Sequence, residues 1–120
     1  MVAIKYFKQE TLEDNDVKEA FKNEIDALSS INSLFVTQLL AAYNFKKVYY
    51  VVWEMPTAGF LNLILKVRGT DLSAEFCQYV LYSAAMGVKA LHAKNFVHRK
   101  VGPSNMLCNL DGTIKLTDLD

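Results

Sequence analysis

The segments LLAAYNF and VYYVVW, separated only by Lys46 and Lys47, constrain the fold more than any other stretch of the chain. Aromatic and β-branched residues suit a pleated strand, and two residues between such runs leave room only for a tight hairpin turn. Upstream, VAIKYF has the same character and predicts a further strand. The polar KQETLEDND separates it from a helical pattern in which Val17, Ala20, Phe21, Ile25 and Leu28 recur, with Asp14 or Asp16 suited to cap the start. Strand, helix, strand, strand is an α+β order.

Beyond EMPTAG, residues 54–59, the pattern changes. FLNLILKV and SAEFCQYVLYSAAMGVKALHAK both carry helical apolar spacing; Ser73 can cap the second and Asn95 can close it in the left-handed conformation that asparagine tolerates. In the closing MLCNLDGTIKLTDLD, Asp111 and Gly112 give a strong hairpin signal. The expected division is a strand-rich part over residues 1–55 and a mainly helical part over 56–120.

Charge and length narrow the classes of function. Thirteen basic side chains balance thirteen acidic ones, so no overall field draws the chain to nucleic acid or an anionic membrane, and neither partner is expected. No apolar run reaches the roughly 18 to 20 residues of a bilayer span, and MVAIKYFKQE lacks the apolar core of a signal peptide, so a cytoplasmic location is expected. Cys77 and Cys108 stand far apart with no CxxC partner, which favours reduced, packed thiols over a zinc site or a disulfide framework.

Three features carry chemistry. Glu24 falls seven residues after Val17 and four before Leu28, so it points from the middle of the apolar stripe or stands half-exposed at its edge. In the first case a carboxylate costs several kcal/mol unless a cation meets it. Lys5 sits on the first strand, where a lysine alone is usually a solvated charge. The loop FVHRKVGPSNML gathers His98, Arg99, Lys100, Gly102 and Asn105 between apolar ends and contains no acid. Such a loop can bind anions and help hold a metal, yet it has no carboxylate to take a proton.

Taken together, VAIK with Lys5, the helix Glu24, HRKVGPSN ending in Asn105, and Asp118 in DLD closely resemble, in order and spacing, the signature set of the protein kinases. The resemblance runs from the third strand of the small lobe to the metal-binding motif of the large lobe. GTIKLTD and EMPTAGFL look most like serine/threonine kinases of the STE group. It implies a partial bilobal fold, with a small β-rich lobe holding one helix and the start of a mainly helical large lobe. It also implies ATP and magnesium as ligands, with protein partners left unidentified. Lys5 would then hold the ATP phosphates and pair with Glu24; Ala3 and Leu107 would sandwich the adenine; Asn105 and Asp118 would hold magnesium ions. Trp53, Glu54 and Met55 would fall at the gatekeeper and hinge, and Leu28, His98 and Leu119 would stack in an apolar spine.

Four departures from the family set the expected activity. Where an aspartate would accept the proton of the substrate hydroxyl stands Lys100, whose ammonium has donors only. Gly102 replaces a lysine that neutralises the transferring group, although Lys100 is close enough in sequence to reach the γ-phosphate in its stead. Pro56 has no N–H to give to the adenine ring. DLD replaces DFG, with Asp120 either a second metal-gathering carboxylate or a terminal residue without a role. No GxGxxG phosphate loop is present, which predicts an exposed edge on the first strand and a long helix at 73–94 lacking cover. The expectation is a pseudokinase with a binding role, set against an active serine/threonine kinase with an unusual loop and against a non-functional gene fragment.

Overall fold

The computed structural model describes residues 2–8, 15–69 and 72–117, with the side chains of residues 7, 8, 15–17, 20 and 24 outside that description. The architecture is α+β, as expected: two antiparallel sheets of three strands each, with helices. The chain divides into two compact units, residues 1–32 with 38–55 and residues 33–37 with 56–120.

The first unit is built on strands β1 (Val2–Lys8), β2 (Leu39–Phe45) and β3 (Val48–Glu54), in the order β1-β3-β2. The hairpin joining β2 to β3 turns at Lys46 and Lys47, both at positive φ (48° and 64°), as a two-residue hairpin turn of matching twist requires. Lysine is poorly suited to that region; the ammonium of Lys46 lies over the Phe45 ring, 5.3 Å from its centroid. Helix α1 (Asn15–Ser29) covers one face of the sheet, where Phe21 meets Tyr49 edge to face at 5.8 Å, and Leu28, Ile31, Leu39 and Val51 are buried. Asp14 lies outside the described residues, as does the side chain of Asp16, and with them the predicted cap. Among the described strands β1 lies at an edge of its sheet, as the sequence predicts.

In the second unit, β4 (Gly59–Phe60), β5 (Met106–Cys108) and β6 (Ile114–Leu116) pair in that order. Helix α2 (Leu61–Arg68) begins one residue later than the FLNLILKV pattern suggests, because Phe60 is extended and pairs with Leu107. Helix α3 (Ala74–His92) is capped as expected: the Ser73 hydroxyl accepts from the Phe76 N–H at 3.1 Å. At its other end Asn95 takes φ 63°, the Phe96 N–H reaches the Leu91 carbonyl and the Asn95 N–H reaches that of His92, both at 3.0 Å. That pair of bonds is a Schellman motif, with asparagine in the place usually taken by glycine.

Between α1 and β2, residues 33–37 join the second unit rather than the first. Val36 is buried and bridges Leu116 in parallel, Phe35 packs edge to face on Tyr82 at 5.6 Å, and Thr37 donates to the Leu116 carbonyl through both N–H (2.9 Å) and hydroxyl (2.7 Å). The core of this unit gathers Leu61, Leu91, Leu107 and Leu116 with Val36 and Ser83. Among the described residues the Ser83 hydroxyl is the one buried side-chain polar atom with no hydrogen-bond partner. Leaving a polar atom so placed costs about 1–3 kcal/mol, and alanine is also the better helix former. Ser83→Ala is therefore expected to raise stability by about 1 kcal/mol, read as a higher urea midpoint at unchanged m-value; a lower midpoint would show that the hydroxyl is satisfied.

The β5–β6 turn carries its own electrostatics. Asp111 accepts from the Thr113 N–H at 3.0 Å and the Thr113 hydroxyl at 2.7 Å, and these bonds hold its carboxyl below the ordinary 3.8. A depressed carboxyl contributes stability above its unfolded pKa that is lost as pH falls through the folded value. The Asp111 side-chain resonance should accordingly titrate below 3.8 in the folded chain and move only part of the way back toward 3.8 in Thr113→Ala, which removes the hydroxyl and keeps the N–H, followed by NMR.

Candidate functional site

The predicted site residues fall into two groups, one in each unit. In the first, pairing register sets the geometry: Ala3 opposes Trp53 and Lys5 opposes Val51, so side-chain alternation puts all four on one face of the sheet. That face is the one α1 covers, since Tyr49, two residues before Val51, meets Phe21. Lys5 and Trp53 are half-buried there. Glu24 belongs to α1, and its side chain lies outside the described residues. The fold thus brings Ala3, Lys5 and Trp53 together beneath the helix that carries Glu24.

Glu54 closes β3 and is tied to the start of β2 on both sides. Its N–H donates to the Gln38 carbonyl at 3.1 Å, and its Oε1 accepts from the Gln38 N–H at 2.7 Å. These bonds fix the backbone just before exposed Met55 and leave the side chain committed to structure. Pro56 follows, without an amide hydrogen. A groove of about 760 Å³ opens elsewhere in this unit, along α1 and the β2–β3 hairpin, lined among others by Lys18, Phe21, Lys22, Ile25 and Tyr49. Ala3, Lys5, Trp53, Glu54 and Met55 do not line it.

In the second unit the residues from His98 to Thr117 form one hydrogen-bonded frame. Buried His98 accepts at Nδ1 from the Lys100 N–H at 3.2 Å, so Nε2 carries the ring proton and donates to the Thr117 carbonyl at 2.6 Å. Arg99 between them takes φ 71°, a left-handed conformation that a non-glycine residue keeps only when its neighbours enforce it. The Asn105 amide donates to the Lys100 carbonyl at 2.8 Å, and the Asn105 carbonyl accepts from the Thr117 N–H at 2.9 Å. Asn105 ends a short 3-10 helix, Pro103–Asn105, which Pro103 suits by lacking an N–H.

Position 100 is therefore held through its backbone on both sides while its side chain stays exposed. With the Asn105 nitrogen engaged, Oδ1 is the atom it can offer to a cation. Leu107 is buried in the middle of β5, paired with Phe60 and Lys115. Asp118, Leu119 and Asp120 lie outside the described residues, and the predicted metal aspartate and the end of the predicted spine lie there with them. Among the described residues there is no cluster of three or more His, Cys, Asp or Glu that could hold a metal ion. The frame turns on Thr117, which sequence reasoning did not single out. Its N–H and carbonyl pin the residue just before Asp118, and no local signal marks a backbone role of that kind.

Of the two thiols, Cys77 is exposed on α3 and Cys108 is buried in β5, where burial pushes its thiol above the ordinary 9.0. No helix among the described residues is long and apolar enough to cross a membrane.

Comparison with known proteins adds an independent finding. The family model described as protein kinase domain matches residues 1–120. The chain is 34% identical over 117 residues to the mitogen-activated protein kinase homolog NTF3 of Nicotiana tabacum, covering 85% of this chain and 31% of that protein. It is 28% identical over 116 residues to an Aurora kinase of Eremothecium gossypii, covering 97% of this chain and 31% of that protein. It is 31% identical over 121 residues to the serine/threonine-protein kinase greatwall of Danio rerio, covering 98% of this chain and 14% of that protein. The chain thus spans about a third or less of the length of these relatives.

Proposed function

The chain belongs to the protein kinase family, and from that premise we propose that it is a serine/threonine-type kinase segment that binds Mg-ATP while its phosphoryl transfer is impaired. One observation carries this reading: the backbone of position 100 is held by hydrogen bonds on both sides, yet the side chain it presents is an ammonium. Residues 1–55 then correspond to part of a small lobe and 56–120 to part of a large lobe, in a protein of the cytoplasm. The finer affinity to the STE group rests on GTIKLTD and EMPTAGFL alone.

The roles follow from the chemistry of each side chain. Lys5 offers a cation to the α- and β-phosphates, and a pairing with Glu24 would offset the cost of a carboxylate on the helix stripe. Ala3 and Leu107 supply apolar surface for the adenine, Trp53 narrows the space behind it, and the Glu54 carbonyl accepts from its amine. At Pro56 one hydrogen bond is forfeited, worth about 0.5–1.5 kcal/mol, which weakens affinity several-fold without abolishing it. The donor set fits a hard cation: Asn105 offers a neutral oxygen and Asp118 a carboxylate. Bound magnesium would offset charge on the phosphate oxygens.

Lys100 decides the outcome. In an active member an aspartate here takes the proton of the attacking hydroxyl. An ammonium has three donors and no acceptor, so it cannot take that proton, and losing a positioned base removes about 10² to 10⁴ in rate. Isothermal titration of the complete gene product with Mg-ATP tests the binding half. Saturable binding that Lys5→Met weakens supports it; no heat of binding in a folded sample overturns it.

A further inference from the structure

The face of the first unit's sheet that α1 leaves open carries a line of aromatic side chains. Register places Tyr6 opposite Tyr50 and Tyr50 opposite Tyr43, so one tyrosine from each strand forms a row across the sheet; Phe45 lies two residues further along β2 on the same side. Tyr43 and Tyr50 stack at 5.2 Å with their rings 21° apart. Alternation along β1 confirms the sidedness: Val2, Ile4 and Tyr6 are exposed where Ala3 and Lys5 are half-buried. Ile4 is 55% exposed, Tyr6 65%, Tyr43 50% and Phe45 57%.

We propose that this tyrosine-rich face is a self-association surface, occupied by the same face of a second copy of the chain. The centre of the patch is uncharged: Lys46 and Lys47 lie in the turn at one end, and Lys8, paired with Val48, stands at that same end of β1. A fully exposed aromatic side chain presents about 150–250 Å². The three half-exposed rings together with Val2 and Ile4 thus leave on the order of 500 Å² per copy, or about 1,000 Å² for two, which meets the threshold of about 1,000 Å² for a specific interface. A contiguous patch of about 500 Å² is of the size of the largest patch on an ordinary monomer, about 300–600 Å², and patches of that size are often functional.

Charge selects the orientation. A two-fold axis crossing the strands sets the lysine turn of each copy at the Glu54 end of the other. The two turns are then separated by roughly the length of β3, about 20 Å at 3.3 Å per residue, which is twice the screening length of about 10 Å. The parallel arrangement would bring the lysine-bearing ends of both copies together. Single-stranded nucleic acid is the competing occupant of an aromatic sheet face. The balanced net charge and the mutual stacking of Tyr43 with Tyr50 both favour the protein partner.

Sedimentation equilibrium of the chain over a wide concentration range tests this. A reversible monomer–dimer equilibrium in the micromolar range is expected, with Tyr6→Glu and Tyr43→Glu each raising its dissociation constant about tenfold or more. Leu81→Glu, on an exposed apolar position of α3 in the other unit, should leave it unchanged. Circular dichroism confirms that each variant keeps its fold. The proposal is overturned by a chain monomeric throughout, by a dimer indifferent to Tyr43→Glu, or by one that Leu81→Glu dissolves. Saturable binding of a single-stranded oligothymidine that Tyr43→Glu abolishes would assign the face to nucleic acid and likewise overturn it.

Discussion

Replacing Lys100 with aspartate is expected to raise phosphoryl transfer from Mg-ATP to a serine-bearing peptide by about 10² to 10⁴, the usual worth of a positioned general base. The gain is large because nothing else at that position needs rebuilding. The Lys100 N–H is held by His98 Nδ1 and its carbonyl by the Asn105 amide, so an aspartate inherits a backbone fixed at 3.2 Å and 2.8 Å from its two partners. The side chain is exposed, so the exchange should change stability by no more than about 0.5 kcal/mol. The measurement is transfer of a labelled γ-phosphate by the complete gene product, with a Lys5→Met, Lys100→Asp double variant as the silent control. Robust metal-dependent transfer by the unaltered protein, abolished by changing Lys100 alone, would show that the ammonium takes part in the reaction and that the impaired reading is wrong.

The second large effect concerns stability and runs against helix propensity. Gly87 lies in the interior of α3, where glycine to alanine ordinarily gains about 0.8–1.0 kcal/mol. Here a β-carbon would meet the Phe35 carbonyl oxygen and Leu116 Cδ1, each at 2.8 Å. The Leu116 side chain is fully buried, and the Phe35 carbonyl already accepts the Leu116 N–H at 2.8 Å, so neither neighbour moves without breaking something else. Overpacking of this kind costs about 1–3 kcal/mol and the endangered hydrogen bond about 0.5–1.5 kcal/mol, together more than the propensity gain. Gly87→Ala should therefore lose about 1–2 kcal/mol in urea unfolding, and Gly87→Val about 3 kcal/mol or more. An alanine variant more stable than the parent would mean that residues 33–37 are not packed on α3 as described.

These two positions show how unevenly the protein can be read from its sequence. At Lys100 the chemistry was legible, because the signature residues lie close together and the missing acid is a matter of identity. Its precision was not: His98 Nδ1 and the Asn105 side-chain amide each meet the backbone of Lys100, and Thr117 holds the frame through its own N–H and carbonyl, pairings set by the folded loop and announced by no residue identity alone. At Gly87 nothing was legible, since a glycine inside a helical pattern looks like a small loss of propensity. Only its distance from Phe35 and Leu116 reveals that the absent β-carbon is what lets the segment pass.

What the sequence by itself determined is local: the Lys46–Lys47 hairpin, the serine cap and asparagine close of α3, the Asp111–Gly112 turn, and the alternation that gives β1 two unlike faces. Backbone preference and side-chain period act over a few residues, so they can be read from a few residues. Tertiary structure alone decided that residues 33–37 pack in the second unit, that Phe60 pairs as a strand instead of opening a helix, and that the tyrosines of three separate strands line up in one row. Each depends on register and close approach between distant segments, where the free energy comes from the partner surface and not from the segment's own pattern.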